Sequence, residues 1–137
     1  MTQTTLRDDE LLDLVQRQTL RYFWDFAHPV SGLARERSDV TPGCGPDVVT
    51  TGGTGFGIMA IIAGVERGWL DRAAASNRLL EMARFLGHAE RHHGIFAHWL
   101  DGRTGRTVAF SELDDGADLV ETSFLLMGLL TARQYFG

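Results

Sequence analysis

The segment Asp114-Asp115-Gly116-Ala117-Asp118-Leu119-Val120-Glu121 holds four carboxylates in eight residues. Asp118 and Glu121 are three apart at the head of an apolar run; on a helix that spacing puts both side chains on one face, with Cβ atoms ~5–6 Å apart. Asp114 falls four residues before Asp118, in the turn leading into that helix. Paired carboxylates of this kind can share general acid and general base work. Part of the cluster also has a plainer use, because acids at a helix N-terminus cap it and suit its dipole. Capping accounts for Asp114 or Asp115, and for Asp118. It does not account for Glu121, a full turn inside and flanked by Val120, Phe124 and Leu125. A carboxyl among apolar neighbours and beside other acids has the surroundings a general acid needs.

Other residues carry weaker signals. Trp24, Trp69 and Trp99 could each stack on the C–H face of a sugar ring, although core packing explains most tryptophans. Trp99 is the strongest candidate, because it follows His98 close to the acidic segment. His98 could bond a sugar hydroxyl or satisfy a buried backbone group. His88 and His92 are four apart, the geometry of a two-histidine metal clip, but Ala89 stands where the zincin motif needs Glu. No metal and no other cofactor is expected. The cluster Gly52-Gly53-Thr54-Gly55-Phe56-Gly57 yields neither Gly-x-Gly-x-x-Gly nor a P-loop, so it is read as close packing at a helix start. The single cysteine, Cys44, rules out an intrachain disulfide and lies in a Pro-Gly loop.

These groups need a scaffold, and hydrophobic spacing predicts a helical one. A first helix begins near Asp8 and buries Leu11, Val15, Thr19, Tyr22 and Phe26, ending at His28-Pro29. An irregular segment runs from Pro29 to about Gly55. A second helix follows from Gly55 to Arg67, closed by Gly68. A third is capped by Asp71 and reaches about His92, with Ala75, Leu79, Met82, Ala83 and Leu86 inward. Ile95 to Leu100 and Thr107 to Phe110 flank Asp101-Gly102-Arg103-Thr104-Gly105, which predicts a β-hairpin. The fourth helix, Ala117 to Phe136, is apolar on nearly every face and is expected to be enclosed on all sides. Enclosing it needs more covering surface than 137 residues supply, so the chain reads as a fragment.

Composition excludes several classes. Hydrophobic residues make up 44% and charged residues 23%, as in ordinary globular proteins, and disorder is not expected. A net charge of −5 with scattered arginines argues against a nucleic-acid partner. No apolar stretch suffices to span a membrane, and the N-terminus lacks the pattern of a signal peptide, so a cytoplasmic location is expected for the chain as written.

The ordered blocks Tyr22-Phe23-Trp24-Asp25, Ser31-Gly32-Leu33-Ala34-Arg35-Glu36-Arg37, Thr50-Thr51-Gly52-Gly53-Thr54-Gly55-Phe56-Gly57, Glu66-Arg67-Gly68-Trp69, His93-Gly94, His98-Trp99 with Asp101-Gly102, and Asp118-Leu119-Val120-Glu121-Thr122-Ser123-Phe124-Leu125 resemble those of the glucoamylase-like glycoside hydrolases that cleave β-1,2-glucans. The resemblance covers almost the whole chain. It implies an all-α fold, the N-terminal part of an (α/α)6 barrel with a short β-hairpin insertion, so that 1–137 is the N-terminal third of one domain. It also implies carboxylate-catalysed hydrolysis of a β-glucan, with inversion the expected course, and a glucan or oligosaccharide as the partner. Asp114, Asp118 and Glu121 fall at the family's catalytic acids, while Arg37, His98 and Trp99 would line the sugar cleft. Relatives are often periplasmic or secreted. A further catalytic glutamate is expected beyond Gly137, in the remainder of the barrel, so this chain alone is expected to be inactive. The alternatives are a non-catalytic carbohydrate- or partner-binding helical domain and a transglycosylase.

Overall fold

The computed structural model describes residues 6–39 and 45–137. Cys44 lies outside the described residues. Four helices and one small sheet follow in the order α1 (Asp8–Trp24), β1 (Val48–Thr50), α2 (Thr51–Glu66), α3 (Arg72–His88), β2 (Trp99–Asp101), β3 (Thr107–Val108) and α4 (Leu119–Phe136). The fold is mostly helical, as expected.

Local chemistry sets the helix starts. Thr50 Oγ1 accepts the Gly53 N–H at 2.8 Å and starts α2. Asp71 accepts the Ala74 N–H at 2.8 Å and starts α3. Asp118 caps α4. Each satisfies backbone donors that the helix itself cannot. Gly68, with φ 68°, takes the left-handed position just past α2.

Several boundaries differ from expectation: α1 ends at Trp24, short of His28-Pro29, and α4 begins at Leu119 rather than Ala117. α2 begins at Thr51 rather than Gly55, because the Thr50 cap draws the glycine cluster into the first two helical turns. α3 ends at His88 rather than about His92, since Ala89 turns extended and its N–H bonds Leu86 O. His92 instead bridges Ile95, and His88 Nδ1 bonds Arg84 O, so the two histidines share no helix face. The hairpin is present but narrower, and it is joined by a third strand: β1, inside the segment read as irregular, pairs antiparallel with β2 (Thr50 opposite Trp99), and β2 pairs with β3 (Trp99 opposite Val108).

The core gathers Leu33, Val49, Ile58, Ile61, Met82, Leu100 and Leu125 from helices, sheet and connecting loop. Its tightest seam is α2 against α4. A Cβ added to Gly55 would lie 2.1 Å from Phe124 O, and one added to Gly128 would lie 2.4 Å from Gly55 O, so the two backbones touch. The opposite side of α2 receives α1, with Phe23 on Gly57 and Leu20 on Gly64. That contact buries Leu20 and leaves Leu11, Val15 and Thr19 exposed, correcting the expected stripe: α1 leans on α2 by its C-terminal half. Ala83 is likewise exposed on α3. α4 is not enclosed on all sides either. It buries Thr122, Leu125, Gly128 and Ala132 against its neighbours, while Leu119, Val120, Leu126 and Leu130 remain exposed. Among the described residues, no helix is long and apolar enough to cross a membrane.

Candidate active site

Residues 96–98 run between the N-termini of two helices and are bonded to both. Thr51 Oγ1 donates to Ala97 O at 2.9 Å and the Thr51 N–H to His98 O at 3.2 Å, which ties them to α2. Phe96 N–H donates to Thr122 Oγ1 at 3.0 Å and Phe96 O accepts the Asp118 N–H at 2.8 Å, which ties them to α4. The acidic face of α4, the first turn of α2 and the start of β2 therefore meet at one place.

The carboxylates occupy that junction in different ways. Asp118 Oδ1 accepts the N–H groups of Val120 at 2.9 Å and Glu121 at 3.0 Å, while Oδ2 stands 3.2 Å from His98 Nδ1. Asp114 Oδ2 lies 3.9 Å from the same nitrogen. Its loop is closed by Phe110 N–H donating to Asp114 O at 2.8 Å. Glu121 reaches across to α2, where Oε2 accepts the Gly52 N–H at 3.0 Å. The expectation of an apolar setting for Glu121 is corrected here. Val120 and Phe124 beside it face outward, and its carboxylate rests on a backbone donor of a neighbouring helix. Asp115 is exposed, and among the described residues the cap of α4 is Asp118 rather than Asp114 or Asp115.

Aromatic groups form the adjoining surface. Phe110 stacks on His98 at 4.3 Å between centroids with planes 25° apart, and Trp99 meets Phe110 at 4.8 Å. Trp99 is half-buried and Phe110 exposed, so part of each ring is open to a ligand. Arg37 is not part of this gathering. Its neighbour Arg35 bridges Val49 on the side of β1 away from β2, and the Arg37 guanidinium is bound to Glu36. A groove of about 690 Å³, lined by Glu90, His92, Thr107, Asp115 and Ala117 among others, includes neither Asp118 nor Glu121.

His98, Asp114 and Asp118 each offer a ligand atom within 4.8 Å of the others, a spacing that a metal ion could use. Their arrangement is already accounted for by hydrogen bonding and by the α4 cap, and nothing further points to an ion.

Sequence reasoning missed three features. The Gly52 donor was invisible, because its role depends on a helix crossing between residues 69 positions apart. Phe110 was placed in the hairpin without a function. The third is His28, buried beneath Gly102, with Nε2 3.1 Å from Asp47 Oδ1, while Arg103 Nε donates to Asp47 Oδ2 at 2.7 Å. The Val30 and Ser31 N–H groups approach His28 Nδ1 at 3.3 and 3.4 Å, so Nδ1 accepts and the proton sits on Nε2.

No protein-family profile matches the chain. An exo β-1,2-glucooligosaccharide sophorohydrolase of Parabacteroides distasonis is 53% identical over 132 residues, which are 96% of this chain and 18% of that protein. The endo-β-1,2-glucanase of Chitinophaga pinensis, solved with sophorotriose and glucose, superposes with a TM-score of 0.90 at 49% identity, over 96% of this chain and 32% of its own. A glucoamylase-like structure from Bacteroides uniformis superposes at 0.89 with 54% identity, over 98% of this chain and 32% of its own. The chain thus spans less than a third of the length of each of these three proteins. Over nearly its whole length, the chain is homologous to one part of a β-1,2-glucooligosaccharide sophorohydrolase, an endo-β-1,2-glucanase and a glucoamylase-like protein.

Proposed function

We propose that this chain forms the acid-bearing part of a site that hydrolyses β-1,2-linked glucan or its oligosaccharides, and that residues 1–137 are the N-terminal part of one glycoside hydrolase domain. The observation that carries the proposal is that Asp114 and Asp118 meet at His98, on which Phe110 stacks beside Trp99, while Glu121 stands in the first turn of the helix that Asp118 caps. Sugar rings present apolar C–H faces that aromatic rings cover, and acids at their edge can then reach a glycosidic oxygen.

The division of labour follows from which oxygens are spent. Asp118 has one oxygen on the α4 cap and the other on His98. Among the described residues Glu121 is anchored by Oε2 alone, which leaves Oε1 for proton transfer or for activating water. In hydrolysis one carboxyl group protonates the leaving glycosidic oxygen. A carboxylate takes a proton from water, whose oxygen bonds to the anomeric carbon as the C–O bond breaks. The inverting course places these two groups ~6.5–9.5 Å apart. Both oxygens of Asp118 are engaged, by the α4 cap and by His98, so the second carboxylate is assigned to the remainder of the barrel, beyond Gly137. Trp99 is proposed as a sugar-stacking residue. Arg37, which lies across β1 from the acids, would serve a more distant part of the cleft.

The test is release of reducing ends from β-1,2-glucan by two proteins, one ending at Gly137 and one translated to the end of its reading frame. Turnover by the longer protein with none by the shorter is expected. Absence of turnover by both would leave a binding role and remove the hydrolase proposal.

A further inference from the structure

His98 stands between the acids in a way that a sugar-binding residue does not require. Its Nδ1 lies 3.2 Å from Asp118 Oδ2 and 3.9 Å from Asp114 Oδ2. The ring is held on two sides: its backbone carbonyl takes the Thr51 N–H at the head of α2, and Phe110 stacks on its face at 4.3 Å. An ionised carboxylate only accepts, so the hydrogen shared at 3.2 Å belongs to Nδ1, and in the neutral ring Nε2 keeps the lone pair. Asp118 Oδ1 is committed to Val120 and Glu121, which makes Oδ2 the oxygen whose direction is still to be set.

We propose that His98 is a positioning residue, whose Nδ1–H fixes Asp118 Oδ2 and, through the cap that Asp118 forms, the first turn of α4 that carries Glu121. This rests on the hydrolase proposal above and assigns His98 a different task from sugar binding. The sheet and α2 aim the imidazole, the imidazole aims Asp118, and Asp118 holds the Glu121 N–H at 3.0 Å. Reacting groups displaced by about 1 Å lose on the order of 100-fold in rate, so a chain of contacts of this kind is felt in turnover.

Two experiments test it. The first uses the chain ending at Gly137, labelled with ¹⁵N-histidine and observed at about pH 8, above the ordinary imidazole range. Long-range ¹H–¹⁵N correlation is expected to show the Nδ1–H tautomer for His98. Asp118→Asn keeps a carbonyl for the cap and turns an N–H toward the ring, so His98 should switch to Nε2–H. The same tautomer in both proteins overturns the proposal.

The second uses the protein translated to the end of its reading frame. His98→Ala should lower kcat by about 100-fold with KM unchanged. His98→Asn, whose amide N–H falls near the place of Nδ1–H, should restore most of the loss, and His98→Gln should not. A raised KM at unchanged kcat would make His98 a sugar ligand and overturn the positioning role. If no form cleaves β-1,2-glucan, the hydrolase proposal fails by itself, and the positioning of Asp118 is decided by the tautomer.

Discussion

Glu121 in α4 is held by Gly52 in α2: Oε2 accepts the Gly52 N–H at 3.0 Å, and a Cβ on Gly52 would lie 2.4 Å from that same oxygen. One glycine therefore supplies both the donor that anchors the carboxylate and the space in which it lies. Gly52→Ala should push the Glu121 carboxylate away while leaving the helix intact. We expect a fall in turnover on the order of 100-fold in the protein translated to the end of its reading frame. The far-ultraviolet circular dichroism should not change. Unchanged turnover would show that the anchored position of Glu121 is not the working one.

The seam behind that contact should be costly to widen. At Gly55 an added methyl group would meet the Phe124 carbonyl at 2.1 Å, and backbone cannot swing aside as a side-chain tip can. Gly55→Ala should destabilise the chain by about 1–3 kcal/mol or more, the range for overpacking a close-packed interior. The shift of the urea unfolding midpoint measures it. A midpoint equal to wild type would contradict the α2–α4 crossing described here.

Stability should also depend on pH through His28. Burial pushes the His28 imidazole below its ordinary value, Asp47 offsets part of this, and Arg35 and Arg103 add to the lowering. The unfolded chain takes up this proton near pH 6.5, the folded chain only at lower pH. The His28 contribution is therefore complete above pH 6.5 and is lost as pH falls from there through the folded value. Asp47 is also lowered, first by the His28 hydrogen bond and then by Arg103, so its own contribution begins to fade only below 3.8. Unfolding midpoints measured from about pH 7.5 down to 5 should fall in wild type and fall less in His28→Asn. Equal slopes in the two proteins would show that burial of the neutral ring does not drive the effect.

What the sequence revealed and what it hid divide along a physical line. Caps are local, so Asp71 and the start of α3 were legible, as was the left-handed Gly68. Helical spacing put Asp118 and Glu121 at the head of α4, where Asp118 is the cap and Glu121 lies in the first turn. Exposure was legible less often. The periodicity of Leu11 and Val15 marks a face able to be buried, but not the partner that would bury it. β1 escaped notice because three residues carry little periodicity, and only pairing with β2 makes them a strand. The Glu121–Gly52, His98–Asp118 and His28–Asp47 contacts join separate segments, and no local pattern encodes them.

The central claim is that Glu121 does chemistry in a β-1,2-glucan-cleaving site. Its most direct test is the rate of reducing-end release from β-1,2-glucan by Glu121→Gln in the protein translated to the end of its reading frame, measured beside wild type. The substitution keeps an oxygen for the Gly52 N–H and removes only the capacity to carry a proton, so the fold should be retained and hydrolysis abolished. Wild-type turnover in Glu121→Gln would contradict the account and take Glu121 out of the mechanism.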